Sequence, residues 1–292
     1  YSPWRHLGFE GEYVFVNERK GDELWKVKHR FNLAVIGNAG TSETGAFAIE
    51  ISKLSDYDYI RIGKFIMMHD VIVPSGYYIE SGNSVKTVST IAPSSGKYAY
   101  YNNGVLTLNN YSYSGTSVAI RLFASTSINL IGSNEVNHIV ASAGDVTLYG
   151  SGVMKVKTNL STSGIYTSGN VYIQGGRITV ESGYTGITCE RFSLSNGFVW
   201  ITATFDGIEI GSGLAVMGGA MTIKSTTTTN DTSYRAISSR TENPAITLTG
   251  MNYAAGKTTD VDVIKTTQFY GGDYDFLALG EFVVVHGVVL YK

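Results

Sequence analysis

Between Tyr98 and Leu248 apolar residues fall at alternate positions in short runs, and the runs recur roughly every 22 residues, a period in the range of stacked repeats. A small residue, once a His, followed by Ile marks the repeat: Ala119-Ile120, His138-Ile139, Gly164-Ile165, Gly186-Ile187, Gly207-Ile208 and Ala236-Ile237. An apolar-x-apolar step follows each, at Ile128-x-Leu130, Val146-x-Leu148, Val171-x-Ile173, Phe192-x-Leu194, Leu214-x-Val216 and Ile246-x-Leu248. After a turn rich in Gly and Asn comes a second step, at Met154-x-Val156, Ile178-x-Val180, Val199-x-Ile201 and Met221-x-Ile223.

Alternation with a period of two is the mark of a strand with one buried side. Runs this short are not stable by themselves. Stacking equivalent runs about 4.8 Å apart pairs each with the next and lines the apolar side chains into continuous files, so the core grows with every repeat. The pattern therefore predicts an all-β chain built on a right-handed parallel β-helix over about 99–256, with about seven coils forming a rod of roughly 30–35 Å. Glycine at the corners permits the positive-φ bends between faces. Both ends of such a rod carry unpaired edges that must be covered. Residues 1–98 are expected to cover one end as a β-rich, sandwich-like domain or cap, and residues 257–292 the other as capping strands.

In the first region the strand candidates are Glu12–Val16, Leu24–Lys28, Phe31–Ile36, Ala46–Ile51, Tyr59–Ile62 and Asp70–Val73, with room for one helical turn within Ile51–Ile66. In the last they are Val261–Ile264, Phe276–Leu279 and Phe282–Val289.

The run Gly164-Ile165-Tyr166-Thr167-Ser168-Gly169-Asn170-Val171-Tyr172-Ile173-Gln174-Gly175-Gly176-Arg177-Ile178-Thr179-Val180 resembles the repeat unit G-I-Y-x-x-G-x-[VL]-x-I-x-G-G-x-[IL]-x-[VA]. That unit belongs to right-handed β-helix proteins of bacterial surfaces, carbohydrate-binding-domain-containing proteins with a pectate-lyase-like superfamily fold. The segment Tyr100-Tyr101-Asn102-Asn103-Gly104-Val105-Leu106-Thr107-Leu108-Asn109-Asn110 is similar to the lead-in strand of that family. The resemblance covers roughly half the chain and implies the fold; similar coils serve adhesins, polysaccharide binders, phage tailspikes and polysaccharide lyases, so by itself it does not fix the activity.

Composition narrows the choice. Net charge is −2 with 16% charged residues, which argues against nucleic acid as partner. No apolar run approaches the roughly 18 residues that span a bilayer. Thirty-four Gly and 20 Tyr against 4 Pro suit many short strands and tight turns, and resemble the usage of secreted surface proteins. A single cysteine, Cys189, rules out an intrachain disulfide and reads as a small buried apolar residue. The chain opens at Tyr1 rather than Met, so a segment upstream of it is expected.

Lyases on this scaffold need acids in register on neighbouring coils beside a cation, and glycosidases need two carboxylates at a set separation. The repeat acids, Glu135, Asp145, Glu181, Glu190, Asp206, Glu209, Asp231 and Glu242, scatter over different corners and faces. No catalytic residue is assigned, although Asp206 with Glu209, or with Glu181, comes near a pair. Met67-Met68-His69-Asp70 is read as a locally hydrogen-bonded run. Asp260 and Asp262, on one side of a strand, are weak candidates for Ca²⁺; no cofactor is otherwise expected.

Alternation points Tyr166, Tyr172, Thr179 and Trp200 outward and leaves Tyr149 and Tyr184 at corners. Exposed rings stack on sugar C–H groups, and their polar edges reach hydroxyls. These six are the candidate ligand contacts, against the alternative that the rings pack on flanking segments or stack along the rod. The leading expectation is an extracellular or cell-surface, non-catalytic binding or adhesion protein that takes a polysaccharide or surface glycan. A phage tail fibre, tailspike or cell-surface structural part, a homotrimer or a piece of a larger assembly on a virion, is the alternative, and a polysaccharide lyase the third.

Overall fold

The computed structural model describes residues 65–227, 234–250, 252–257, 260–262, 274–285 and 288–291, apart from positions 70, 74, 82–84, 95, 114, 116 and 117, with five earlier strands inside 7–63. Every regular element among them is a β-strand. The repeat forms a three-faced parallel solenoid. The first face carries Ile120–Leu122, Ile139–Ala141, Ile165–Thr167 and the opening halves of Ile187–Leu194 and Ile208–Val216. The second carries Val105–Asn109, Thr126–Ile131, Val146–Gly150, Val171–Ile173 and the closing halves of the same two long strands. The third carries Ser133–Val136, Val153–Thr158, Arg177–Ser182, Phe198–Ala203 and Ala220–Ser225.

Register explains why the small-Ile step repeats. Ile120, Ile139, Ile165, Ile187, Ile208 and Ile237 are consecutive partners along the first face, and each is fully buried. Each β-branched side chain stands on the one below it, so the file excludes water and holds its own register. One apolar cluster joins the three inward faces from Ile66 to Leu279.

Two different physical demands explain the corner glycines. Gly132, Gly176, Gly197 and Gly219 each precede a third-face strand with φ of 64, 77, 98 and 76°, a conformation that disfavours any Cβ. Gly164, Gly186 and Gly207, before the first face, have ordinary φ but no space. A Cβ on Gly207 would strike the side chain of Ile223 and the carbonyl of Ala236. Positive-φ bending, expected at the corners, therefore operates before most third-face strands and at Gly104 and Gly144 before the second face, and close approach of coils operates before the first.

The solenoid has five complete coils, beginning at Ile120, Ile139, Ile165, Ile187 and Ile208, rather than the seven expected. The outer two repeats are partial because capping strands take the places of missing faces. At the start, Ile66–Met68 pairs antiparallel with Ile120–Leu122, and Tyr98–Asn102 pairs antiparallel with Val105–Asn109. Asn134 and Asn137 stitch the intervening segment: their Oδ1 atoms accept from the amides of Tyr111 (2.9 Å) and Ala119 (3.0 Å). At the far end, Ile237–Ser239 and Ala245–Leu248 continue two faces, but Phe276–Gly280 runs antiparallel along Ala220–Ser225 and ends the third. Asn252–Lys257 and Asp260–Asp262 extend that edge.

In the amino-terminal region, Leu7–Glu10, Tyr13–Lys20 and Glu23–His29 form an antiparallel sheet, and Asn32–Gly37 pairs with Tyr57–Gly63. Much of the stretch considered for a helical turn is thus strand, and the candidate at Ala46–Ile51 lies outside the described residues. His69, in the run 67–70, shares a buried 2.7 Å hydrogen bond between its Nε2 and the Tyr111 hydroxyl, and Asp70 lies outside the described residues.

Candidate functional site

The six candidate contacts occupy all three faces and one corner. Tyr166 is on the first face, 42% exposed, between Val140 and Thr188 of the adjacent coils. Tyr149, expected at a corner, instead lies within the strand Val146–Gly150, and it and Tyr172 are half-buried on the second face, on adjacent coils and at different outward positions. Tyr184 sits at the corner between the third and first faces, with its ring edge-on to Phe205 at 4.9 Å, and Phe205 in turn lies 4.5 Å from Tyr234. These three rings form an aromatic file up the corner, the stacking anticipated as the alternative to ligand contact. Thr179 and Trp200 are direct partners on the third face, and they alone of the six share a register position.

Trp200 is 47% exposed, the most open aromatic ring among the described residues. The strand Phe198–Ala203 buries Val199 and Ile201 into the core and so pushes Phe198, Trp200 and Thr202 outward. Phe198 lies 6.5 Å from Trp200 with the ring planes inclined by 32°, and the Arg177 guanidinium sits 5.3 Å over the Phe198 ring. One coil below, Thr179 pairs with Trp200, flanked by Arg177 and Glu181 on the same strand. Glu181 accepts from Lys155 at 2.8 Å, which raises the Lys155 pKa.

One coil above Trp200, Thr222 is covered. The Tyr291 hydroxyl donates to the Met221 carbonyl (2.8 Å) and lies 2.6 Å from Thr222 Oγ1; burial pushes its pKa up to about 12. The hairpin Phe282–Val285 with Val288–Tyr291 thus rests on the last coil through Tyr291, whose ring also stands edge-on to Phe198 at 5.2 Å. Phe198 was readable as an outward residue by the alternation that exposes Trp200. Tyr291 had no such signal, because its place depends on a hairpin far along the chain.

Three acidic side chains lie where the first face meets its corners. Arg240 lies 3.6 Å from Glu190 and 3.8 Å from Glu209, and donates to the Cys189 carbonyl at 3.1 Å. Glu209 also accepts from Thr188 Oγ1 at 3.3 Å. Asp206 accepts from the Arg235 amide at 2.9 Å, and burial raises its pKa, an effect that hydrogen bond offsets in part. One guanidinium therefore binds both glutamates, and Asp206 caps a backbone turn. Among the described residues no group of three or more His, Cys, Asp or Glu could hold a metal ion. Asp260–Asp262 pairs antiparallel with Ala255–Lys257, and its side chains lie outside the described residues. Among the described residues no helix is long and apolar enough to cross a membrane.

A parallel β-solenoid whose third face pairs an open indole with polar neighbours is the class of protein these observations define. A family model described as "Carbohydrate-binding domain-containing protein" matches residues 121–268, just over half of the chain, and the chain belongs to that family. The matched span takes in all five candidate aromatics, Thr179 and all but the first residue of the five coils. Comparison with curated proteins and comparison with solved structures give no match.

Proposed function

We propose that the protein is a non-catalytic carbohydrate-binding module, acting at a cell surface or in the extracellular space, and that Trp200 is the centre of its binding face. The observation that carries this reading is the exposed indole on a flat sheet, with Phe198 beside it along the strand and Thr179 below it. A rigid ring held by the packed strand offers a flat apolar surface to one side of a sugar, at small entropic cost. Arg177, Lys155 and Glu181 stand around it as donors and acceptors for hydroxyl groups. Membership of the carbohydrate-binding family supports the same ligand class.

Catalysis is not invoked. Glu190 and Glu209 converge on the Arg240 guanidinium, which ties both carboxylates to one structural cation. Tyr166, Tyr172, Tyr149 and Tyr184 are left as secondary contacts on other surfaces.

The test is a glycan microarray probed with the wild-type protein and with Trp200→Ala. At least one glycan class binds the wild type, and the variant binds it at least about tenfold more weakly, a difference of about 1.4 kcal/mol. Absence of binding across the array, or binding untouched by the substitution, contradicts the reading.

A further inference from the structure

We infer that the glycan runs along the strand direction, across the rod, and that its next unit seats in a groove at the corner between the second and third faces. The protein would then take single soluble glycan chains rather than the flat face of a crystalline polysaccharide. This deepens the carbohydrate reading of Trp200 and rests on it.

The direction follows from the rings. Phe198 and Trp200 are two residues apart on one strand, both outward, with centroids 6.5 Å apart and planes inclined by only 32°. Trp200 is the open ring, and Phe198, half-buried between the Arg177 guanidinium and the Tyr291 ring, continues the apolar surface along the strand toward Gly197 and the corner. The coil below places Thr179 at the Trp200 position, and the coil above places Thr222 there, buried under Tyr291, so the open apolar surface beside Trp200 continues along its own strand.

Beyond Phe198 the surface falls into a cavity of about 370 Å³, within the range of small-ligand sites. Phe198, Met217, Thr249, Gly250, Glu281 and Tyr291 are among its lining residues. Its floor is bare backbone. Gly219, with φ of 76°, leaves no room for a Cβ against the Gly197 carbonyl. Its wall is Tyr291, with the ring at 82° to Phe198 and 5.2 Å away, held by hydroxyl contacts to Met221 and Thr222. Glu281 is exposed and adds an acceptor for sugar hydroxyls.

A concave corner with the Tyr291 ring standing nearly perpendicular to Phe198 suits one bent chain better than a flat crystal face. Glu281 and Tyr291 lie outside the span 121–268 that the family model matches.

The experiment is native affinity electrophoresis of the full chain in gels containing soluble mixed-linkage β-glucan, arabinoxylan, galactomannan or dextran. Sedimentation with particulate cellulose and chitin runs in parallel. Thr249→Phe fills the groove from an exposed position, and Glu281→Gln removes its charge without changing its size. Expected is retardation of the wild type by at least one soluble polysaccharide, without co-sedimentation with the particles. Retardation is lost in Trp200→Ala, and affinity falls roughly tenfold in Thr249→Phe and several-fold in Glu281→Gln, as for loss of packed or hydrogen-bonded ligand contacts. If Trp200→Ala abolishes retardation while Thr249→Phe and Glu281→Gln retain full affinity, the groove is overturned and the carbohydrate reading stands. Tight co-sedimentation with the particles also overturns the groove. Absence of binding to every polysaccharide in both formats overturns both.

Discussion

Replacing Ile187 by Ala tests the isoleucine file at its centre. The side chain is fully buried between its register partners Ile165 and Ile208, and those are held in turn by Ile139 and Ile237. Three carbons leave the core, a transfer loss of about 2.4 kcal/mol at about 0.8 kcal/mol per methylene. The void cannot collapse, because each neighbouring coil is fixed by its own backbone pairing on three faces. A cavity contribution of about 1–2 kcal/mol therefore adds to the transfer loss, for a total near 4 kcal/mol, in the upper half of the range for such substitutions. Ile187→Val removes one carbon and costs about 1 kcal/mol. Urea unfolding followed by circular dichroism measures both, and the midpoint should fall with little change in slope. A loss below about 1 kcal/mol for Ile187→Ala would refute close packing in the file.

Three further outcomes follow from the packing. Gly207→Ala destabilises by about 1–3 kcal/mol despite its ordinary φ, since the new methyl meets Ile223 and the Ala236 carbonyl; thermal unfolding of the variant reads this directly. His138 is buried beside Arg121, and burial first, then the Arg121 charge, lowers its pKa to about 4. Its folded-state pKa lies below the ordinary value, so stability is full above about pH 6.5 and is lost as pH falls toward 4, by at most about 3 kcal/mol. His138→Ala, which installs the residue found at the equivalent positions 119 and 236, should flatten that part of the stability-versus-pH profile. Cys189 is fully buried and its thiol pKa is pushed up to about 12, first by burial, so a thiol-directed reagent should label it only at the rate of unfolding. Labelling within minutes under native conditions would contradict that placement.

The solenoid was legible because its physics is local and repeated. Each Ile after a small residue reports the same buried position, and each apolar-x-apolar step reports one strand. The count of coils was not legible. The alternation at Val105–Asn109 and Ala245–Leu248 is genuine, yet the third-face places beside them are filled by an isolated bridge from Ser112 and by the antiparallel strand Phe276–Gly280. Alternation reports which side of a strand is buried and is silent on the direction of its neighbour.

The same limit governed the site. Trp200 and Thr179 were readable as outward from the burial of Val199, Ile201, Ile178 and Val180. That they share one face, and that Tyr166 and Tyr172 look elsewhere, required knowing which of three faces each strand joins. Tyr184 packs edge-on to Phe205, in a corner file that sequence spacing allowed but did not select. The groove is the least legible feature, since its wall comes from Tyr291, some ninety positions beyond Phe198, and depends on the hydroxyl contacts that dock it.

Oxidative footprinting of aromatic side chains, with and without a saturating polysaccharide, reports which face of the solenoid the ligand covers. Trp200 and Tyr166 are almost equally exposed, at 47% and 42%, and stand on different faces, so one is an internal control for the other. Bound glycan should slow oxidation of Trp200 several-fold and leave Tyr166 unchanged. Protection of Tyr166 with Trp200 still reacting at its free rate would place the ligand on the wrong face and contradict the reading of Trp200 as the binding centre.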